Sequence, residues 1–400
     1  MTNTSFPMYK FKPFKFNVLK QNHDPFEMPL SKIGHHLLCN DAYLITYVGI
    51  NPIAATGRLW QYYFDLDEWK IIPTQNILPK VGSSLVTLFG NVIIIISCSK
   101  SQHCGEWSFR LCLGDLAYQY EIGQIRFKEL ILSGAIQIPN HVLGQGFVIN
   151  GTDIFSIHGT QNKKHEMGVF QLDVITRKWE VLHPASHEQM ENGKCIYPRE
   201  VIFYDGRIYV FASRLGGIKV YCKFSKIHMF DLATRLWYLF KVKQDSEVRK
   251  SGIPNCYSYS CVQCPINRNL VYLCGGFKGL RASDAIWRFD LNTLQWEKLI
   301  KFSLPQPVYM HSTIITPSGR MYCYGGKITR RSPYYTNYSS NNLICAWITI
   351  PKLKILSWEA MVHYFKDQMF ESSTETLKKI GIPPEFYNRI IEARSHINNV

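Results

Sequence analysis

Hydrophobic residues in this chain follow two different rhythms. From about residue 30 to residue 350, short apolar or alternating runs are punctuated by Gly, Asn, Asp and Pro, as expected of strands joined by turns. Beyond Pro351 the rhythm changes. Leu353, Leu356, Ser357, Ala360, Met361, Tyr364 and Phe365 recur at intervals of three and four residues, which stacks them along one helical face. Pro351 suits a helix start, and Gly381-Ile382-Pro383-Pro384 breaks the chain before a second short helix beginning near Glu385. The tail reads as a helical hairpin or small helical cluster.

The strand-rich part repeats itself. An apolar strand ending in small residues, a polar loop, an aromatic and a second aromatic nine positions later return with a period of roughly fifty to sixty residues. The aromatic pairs are Trp60 and Trp69, Tyr118 and Phe127, Phe170 and Trp179, His228 and Trp237, and Trp287 and Trp296. Alternating strand followed by a turn fills the space between the members of a pair, as in Ile286 to Trp296, so each unit contains a hairpin. The strand upstream is repeated too, most clearly as Leu270 to Gly276 and Met321 to Gly326. Paired glycines at a strand end permit close backbone approach, which fits inner strands of radially packed sheets. Inner strands at 43–49, 91–97, 153–159, 207–213, 270–276 and 320–326 make six blades. Ile344 to Ile350 is the third strand of the last blade, and the helical tail begins before any fourth. Residues around Phe14 to Leu19 are expected to supply it and so remove an exposed sheet edge.

This pattern resembles the kelch repeat. The resemblance implies an all-β, six-bladed kelch-type β-propeller with a C-terminal α-helical tail. Three segments follow: residues 1–28 carrying the closing strand, 29–350 forming the propeller, and 351–400 forming the tail. Four units have lost the double glycine and show Val48-Gly49, Ser97, His158-Gly159 and Ala212-Ser213 in its place. Trp69, Trp179, Trp237 and Trp296 read as rings that fill the space between blades, and the double glycines as blade geometry with no nucleotide site.

Composition narrows the functional classes. Four hundred residues with 46% hydrophobic content support a large core. The formal charge of +15 is spread along the chain, and its densest pairs, Lys163-Lys164 and Arg330-Arg331, lie in loops, so nucleic acid is not the expected partner. Met1 to Lys20 lacks the apolar stretch of a secretory signal, and the most apolar run, Val92 to Ile96, is far too short to span a bilayer. A cytoplasmic or nuclear location is expected, with no membrane partner. The twelve cysteines then read as mostly free thiols, and Cys261 with Cys264 has no matching second pair for zinc. His35, His36 and His311 have no partner at a diagnostic spacing, and no Gly-x-Ser-x-Gly elbow or phosphate loop occurs, so no enzyme, metal or cofactor is expected.

A narrower resemblance runs through Ser283 to Trp287, Gln295 to Leu299, Pro305 to His311, Thr316 to Tyr322, and Pro351 to Glu359. There the chain is similar to a group of kelch-domain substrate receptors for cullin 2 ubiquitin ligases. That group implies a non-catalytic adaptor, with elongin B/C and cullin 2 as partners and protein substrates captured through their C-termini. Its elongin-binding box falls on Leu353, Leu356, Ser357, Ala360 and Met361, with Lys352 where the group carries a small residue or Pro and Ser357 where it carries Cys or Ala. Its cullin 2 box falls on Ile382, Pro383, Phe386 and Ile390. A terminal carboxylate needs cationic groups and aromatic walls. Arg199, Arg214 and Lys219 are the candidate cations, and Tyr257, Tyr259, Tyr309 and His311 the candidate walls. Two other readings stay open. Both tail elements are also what a helix docked on the propeller needs, and a kelch scaffold for a cytoskeletal or signalling protein needs no ligase.

Overall fold

In a computed structural model of the chain, the described residues are 8–19, 29, 35–48, 58–75, 83–100, 107–116, 124–133, 145–159, 167–184, 194–216, 219–221, 224–244, 254, 256–278, 281–332 and 334–395. Six antiparallel sheets form the blades of a β-propeller. Blade one contains His35–Cys39, Tyr43–Val48, Arg58–Tyr63 and Glu68–Ile72 in that order. Blade five contains Ser260–Gln263, Leu270–Cys274, Ile286–Asp290 and Gln295–Lys298. Blade six takes three strands from one region, Ser312–Ile315, Arg320–Tyr324 and Leu343–Trp347, and its outermost from the other end of the chain. That strand is Asn17–Val18, which pairs Asn17 with Cys345 and Val18 with Ile344. The amides of Phe14 and Leu19 extend the pairing by donating to the carbonyls of Trp347 and Leu343.

The repeated hairpin has a local cause. Asp173, Asp231 and Asp290 each end a third strand and accept backbone N–H groups from the turn that follows. The residue four places on, Arg177, Arg235 or Leu294, takes a positive φ and returns the chain to the outer strand. The aromatic that follows then reaches back to the preceding blade. Trp69 lies 5.1 Å from Tyr324 of blade six, Trp179 lies 4.9 Å from Phe109 of blade two, and the Trp296 indole donates to the Phe224 carbonyl of blade four. Tyr118 is outside the described residues.

The strands that end in small residues are not the innermost ones. Tyr43–Val48, Val92–Lys100, Asp153–His158, Arg207–Gly216, Leu270–Cys274 and Arg320–Tyr324 form the second strand of each sheet, and the strands before them meet around the axis. The double glycine works one position out. Gly275 and Gly276 have φ of +61° and +97°, and a Cβ on Gly275 would sit 2.5 Å from the Val308 carbonyl. Gly326, at φ +85°, would place a Cβ 2.6 Å from the Tyr309 carbonyl and 2.9 Å from the His311 amide. The glycines let the loops entering blades five and six cross the strand ends.

After the ring come three helices, α1 (Leu353–Glu371), α2 (Thr374–Lys379) and α3 (Pro384–Ser395). The sequence pattern anticipates α1 and α3 but not α2. Ser373 caps α2 by accepting from the Thr376 amide. Gly381, at φ +86°, ends it. The Gly381 amide donates to Lys378 and that of Ile382 to Leu377, the paired bonds of a Schellman stop. Trp358, Met369, Leu377, Ile382, Phe386 and Ile390 form the core of this cluster, with Trp358 stacked on Phe386 at 4.6 Å.

Gly326→Ala is expected to destabilise the protein by about 2 kcal/mol or more, since it combines positive-φ strain with a backbone clash. Urea unfolding of both proteins measures it, and an unchanged midpoint contradicts this role for the glycine.

Candidate functional site

Strand direction fixes which loops share an end of the ring. Second strands run toward the double glycines, so the connections from second to third strands and the entries to first strands gather there, called the glycine end. The turns within each first hairpin and each outer hairpin gather at the opposite end.

At the glycine end, blades four to six carry extensions. Lys219–Tyr221 pairs with the end of Arg207–Gly216, Phe277–Lys278 pairs with Arg281–Ala282, and Lys327–Ser332 pairs with Tyr334–Ser339. The entry loops bond to these extensions, Tyr257 with Phe277 and Tyr309 with Lys327. All seven candidate substrate residues have their backbone at this end. Tyr257, Phe277 and Tyr309 form a chain of rings with centroids 5.4 and 4.8 Å apart, and Tyr259 and His311 lie buried beside it. Arg199 and Arg214 lie on the first and second strands of blade four and Lys219 on its extension, but their side chains are outside the described ones.

His311 is the unusual group. It is 5% exposed, and neither ring nitrogen has a hydrogen-bond partner among the described residues. Burial pushes its pKa down to about 4, so at neutral pH it is an uncharged imidazole with one N–H donor and one acceptor to offer. Buried polar groups are normally satisfied, so an orphaned one beside an aromatic wall is a candidate ligand contact. Among the described residues no group of three or more His, Cys, Asp or Glu is arranged to hold a metal.

The tail sits at the opposite end. The Trp358 indole donates to Asp65 Oδ1 at 3.1 Å and Lys366 Nζ to the Leu66 carbonyl at 2.7 Å, both in the outer turn of blade one. Arg320 of blade six pairs with Glu359 at 2.8 Å, and the Tyr9 hydroxyl donates to the other oxygen of that carboxylate at 2.7 Å. One set of contacts therefore joins blade one, blade six, the N-terminal segment and α1.

The two boxes fare differently. Leu353 is 77% exposed, Ser357 and Tyr364 are exposed, Leu356 and Ala360 are half-buried, and Met361 packs against the tail core, so Leu353, Leu356, Ser357 and Ala360 are the members of the row that reach solvent. Ile382, Phe386 and Ile390 are buried inside the tail, and only Pro383 of that box is exposed. Ile382 makes the hydrophobic contact of the Schellman stop, and Pro383 and Pro384 lead into α3.

A family model described as the Kelch motif matches residues 258–299, the span of blade five. The chain is a six-bladed β-propeller that carries a Kelch motif in its fifth blade. Over nearly its whole length the chain is also similar to Kelch domain-containing protein 10. The Xenopus laevis protein is 28% identical over 382 residues, covering 90% of this chain and 86% of the relative. The human protein is 27% identical over 370 residues, covering 87% and 77%. The Drosophila melanogaster homolog is 26% identical over 421 residues, covering 96% and 66%. Among the described residues no helix is long and apolar enough to cross a membrane.

Sequence reasoning missed the anchoring pairs Trp358 with Asp65 and Arg320 with Glu359, because partners 293 and 39 positions apart leave no local signal. Burial under the tail pushes the Asp65 carboxyl up to about 6, against the pull of Arg389 and of the Trp358 hydrogen bond. A folded pKa above the ordinary carboxylate value means that the ionised group costs stability at neutral pH, and that the cost fades as pH falls through about 6. Asp65→Asn keeps an acceptor for Trp358 and removes the charge. The variant is expected to be at least as stable at about pH 7, with a flatter stability profile between about pH 7 and pH 5 in urea titrations. A variant markedly less stable at neutral pH contradicts this.

Proposed function

We propose that this protein is a non-catalytic adaptor whose kelch ring captures a protein at the glycine end and whose tail recruits a cullin 2 ubiquitin ligase through elongin C. The kelch propeller is typically an interaction scaffold, and this reading gives each end of the ring a task. The observation that carries it is the solvent-facing stripe of Leu353, Leu356, Ser357 and Ala360 on a helix anchored to the ring by Trp358 and Glu359. An apolar row on a firmly held helix is what a helix-in-groove partner takes up. At the other end, the rings of Tyr257 and Tyr309 with neutral His311 supply walls and a hydrogen-bonding group for a bound chain terminus. Arg199, Arg214 and Lys219 would supply the charge that a terminal carboxylate requires.

One observation favours a second reading, a kelch scaffold for a cytoskeletal or signalling protein without ligase coupling. Ile382, Phe386 and Ile390 build the core of the tail, so their pattern has a structural cause independent of any cullin.

Purification of the full chain from cells is expected to bring elongins B and C and cullin 2, and Leu353→Arg or a chain ending at Ile350 to lose them. Undiminished association of the Leu353→Arg protein, or recovery of cytoskeletal or signalling partners without cullin, overturns the ligase reading. For the glycine end, peptides with free C-termini are expected to bind at least about tenfold more tightly than the same peptides amidated. Equal binding excludes carboxylate capture.

A further inference from the structure

The seam between blades five and six differs from the seams that follow blades one, two and four. After the outer strands of blades one, two and four, the chain runs on beside the next blade's outer strand. Thr74 bridges Ile125 in parallel, Ser133 bridges Lys178, and Lys243–Gln244 pairs with Gln295–Trp296. After blade five it turns back instead. The amides of Leu299 and Leu304 donate to the carbonyls of Ile286 and Asp284 in blade five itself. The outer strand of blade six, supplied by the N-terminus, is only the two residues Asn17–Val18. With a doubled-back linker on one side and a short strand on the other, the periphery of this seam stays open as a groove of about 550 Å³.

The floor and rim of the groove have different chemistry. Phe302 stacks on Phe16 at 4.8 Å and meets Phe14 edge-on at 6.5 Å. Phe14 is 50% exposed and Ile300 63% exposed, and both border the groove. The wall residues Arg288 and Glu297 pair and cancel each other's charge. Lys301 remains on the rim as a cation, whereas the Lys298 ammonium lies 5.5 Å over the Trp287 ring, and the exposed Lys10, Lys12 and Lys15 continue the positive field along the N-terminal segment that leads to and from Phe14.

We propose that this seam is a docking groove for an acidic peptide segment that buries a bulky apolar side chain against Phe14, Ile300 and Phe302 while its carboxylates meet Lys301 and the lysines of the N-terminal segment. The apolar floor demands an apolar anchor, and a cationic rim pairs with flanking acids in a way that steers and orients such a segment. A polyanion such as nucleic acid fits less well, since Glu297 stands in the wall and the cations border an apolar floor without tracking a backbone. The groove lies between the glycine end and α1 and uses no residue assigned to either, so its test is independent of the proposed ligase role.

Fluorescence anisotropy with the full-length protein tests this. The probe is the labelled peptide Glu-Asp-Glu-Phe-Leu-Glu-Asp with both ends blocked, which removes any terminal carboxylate. Saturable binding is expected, weakened about tenfold or more by Ile300→Ser and by Lys301→Glu, both exposed positions whose melting temperatures should match the parent. Replacing Phe-Leu by Ser-Ser, or the acids by Lys, should weaken binding to a similar extent. No saturation below about 1 mM, equal affinity for the control peptides, or indifference to both substitutions overturns the proposal. So does a concentration-dependent dimer that Ile300→Ser abolishes in sedimentation velocity, because the groove is then a contact between copies of this chain.

Discussion

Closure of the ring is the constraint on which everything else depends. Six sheets around an axis leave a free edge unless the last is completed, and here the inner three strands of the final blade come from residues 312–347 while the outermost comes from Asn17–Val18. Loop-closure entropy works against joining segments more than three hundred residues apart, and two residue pairs offset little of it. The closure is therefore reinforced. Phe16 stacks on Phe302, Phe11 meets Trp347, and Tyr9 shares the Glu359 carboxylate with Arg320. Arg320 lies over both Tyr322 and Trp347, so a cation of the second strand in blade six also holds the third. By anchoring α1 to blades one and six at once, the tail acts as a clasp across the junction.

This arrangement gives the tail a structural role that is separable from any recruitment role. The face of α1 that carries Trp358 and Met369 is buried, and the face that carries Leu353 and Ser357 is not. A helix with one face spent on anchoring and the other left apolar is held in a fixed orientation relative to the glycine end of the ring. Fixed geometry is what the proposed adaptor role would need, because a bound substrate and a recruited enzyme would have to be presented to each other at a set distance. At the glycine end, the candidate surface built by Tyr257, Tyr309 and His311 lies on the entry loops of blades five and six, bonded to the extensions of those blades.

The sequence made the repeat legible wherever local chemistry sets the fold. Asp290 with Leu294 and Asp231 with Arg235 announce the outer hairpins, Trp296 and Trp179 announce blade packing, and Gly275-Gly276 marks a crowded crossing. Periodicity also located α1 from Leu353 onward. It placed the glycine-bearing strands one position too far inward, because a glycine pair reports close approach of backbone but not what approaches. In this fold that is the entry loop at Val308 and Tyr309 and not the axis. It passed over α2, a helix of six residues with too short an apolar period to register, though Ser373 and Gly381 frame it. The Ile382, Pro383 and Phe386 pattern was visible, but its use as a helix stop and core contact depends on Leu377 and Trp358 lying underneath. The tyrosines of the candidate surface were legible as residue types, whereas the orphaned nitrogens of His311 arise only once the glycines have closed over it.

Native-state hydrogen exchange across the junction decides whether ring and tail are one cooperative body. The amides of Phe14 and Leu19, those of Leu343–Trp347, and those in the first half of α1 are expected to open together, with the free energy of the blade-five amides. If the α1 and N-terminal amides exchange through a separate, much lower-energy opening while the blades stay protected, the clasp does not hold the ring closed and the fixed geometry between its two ends is wrong.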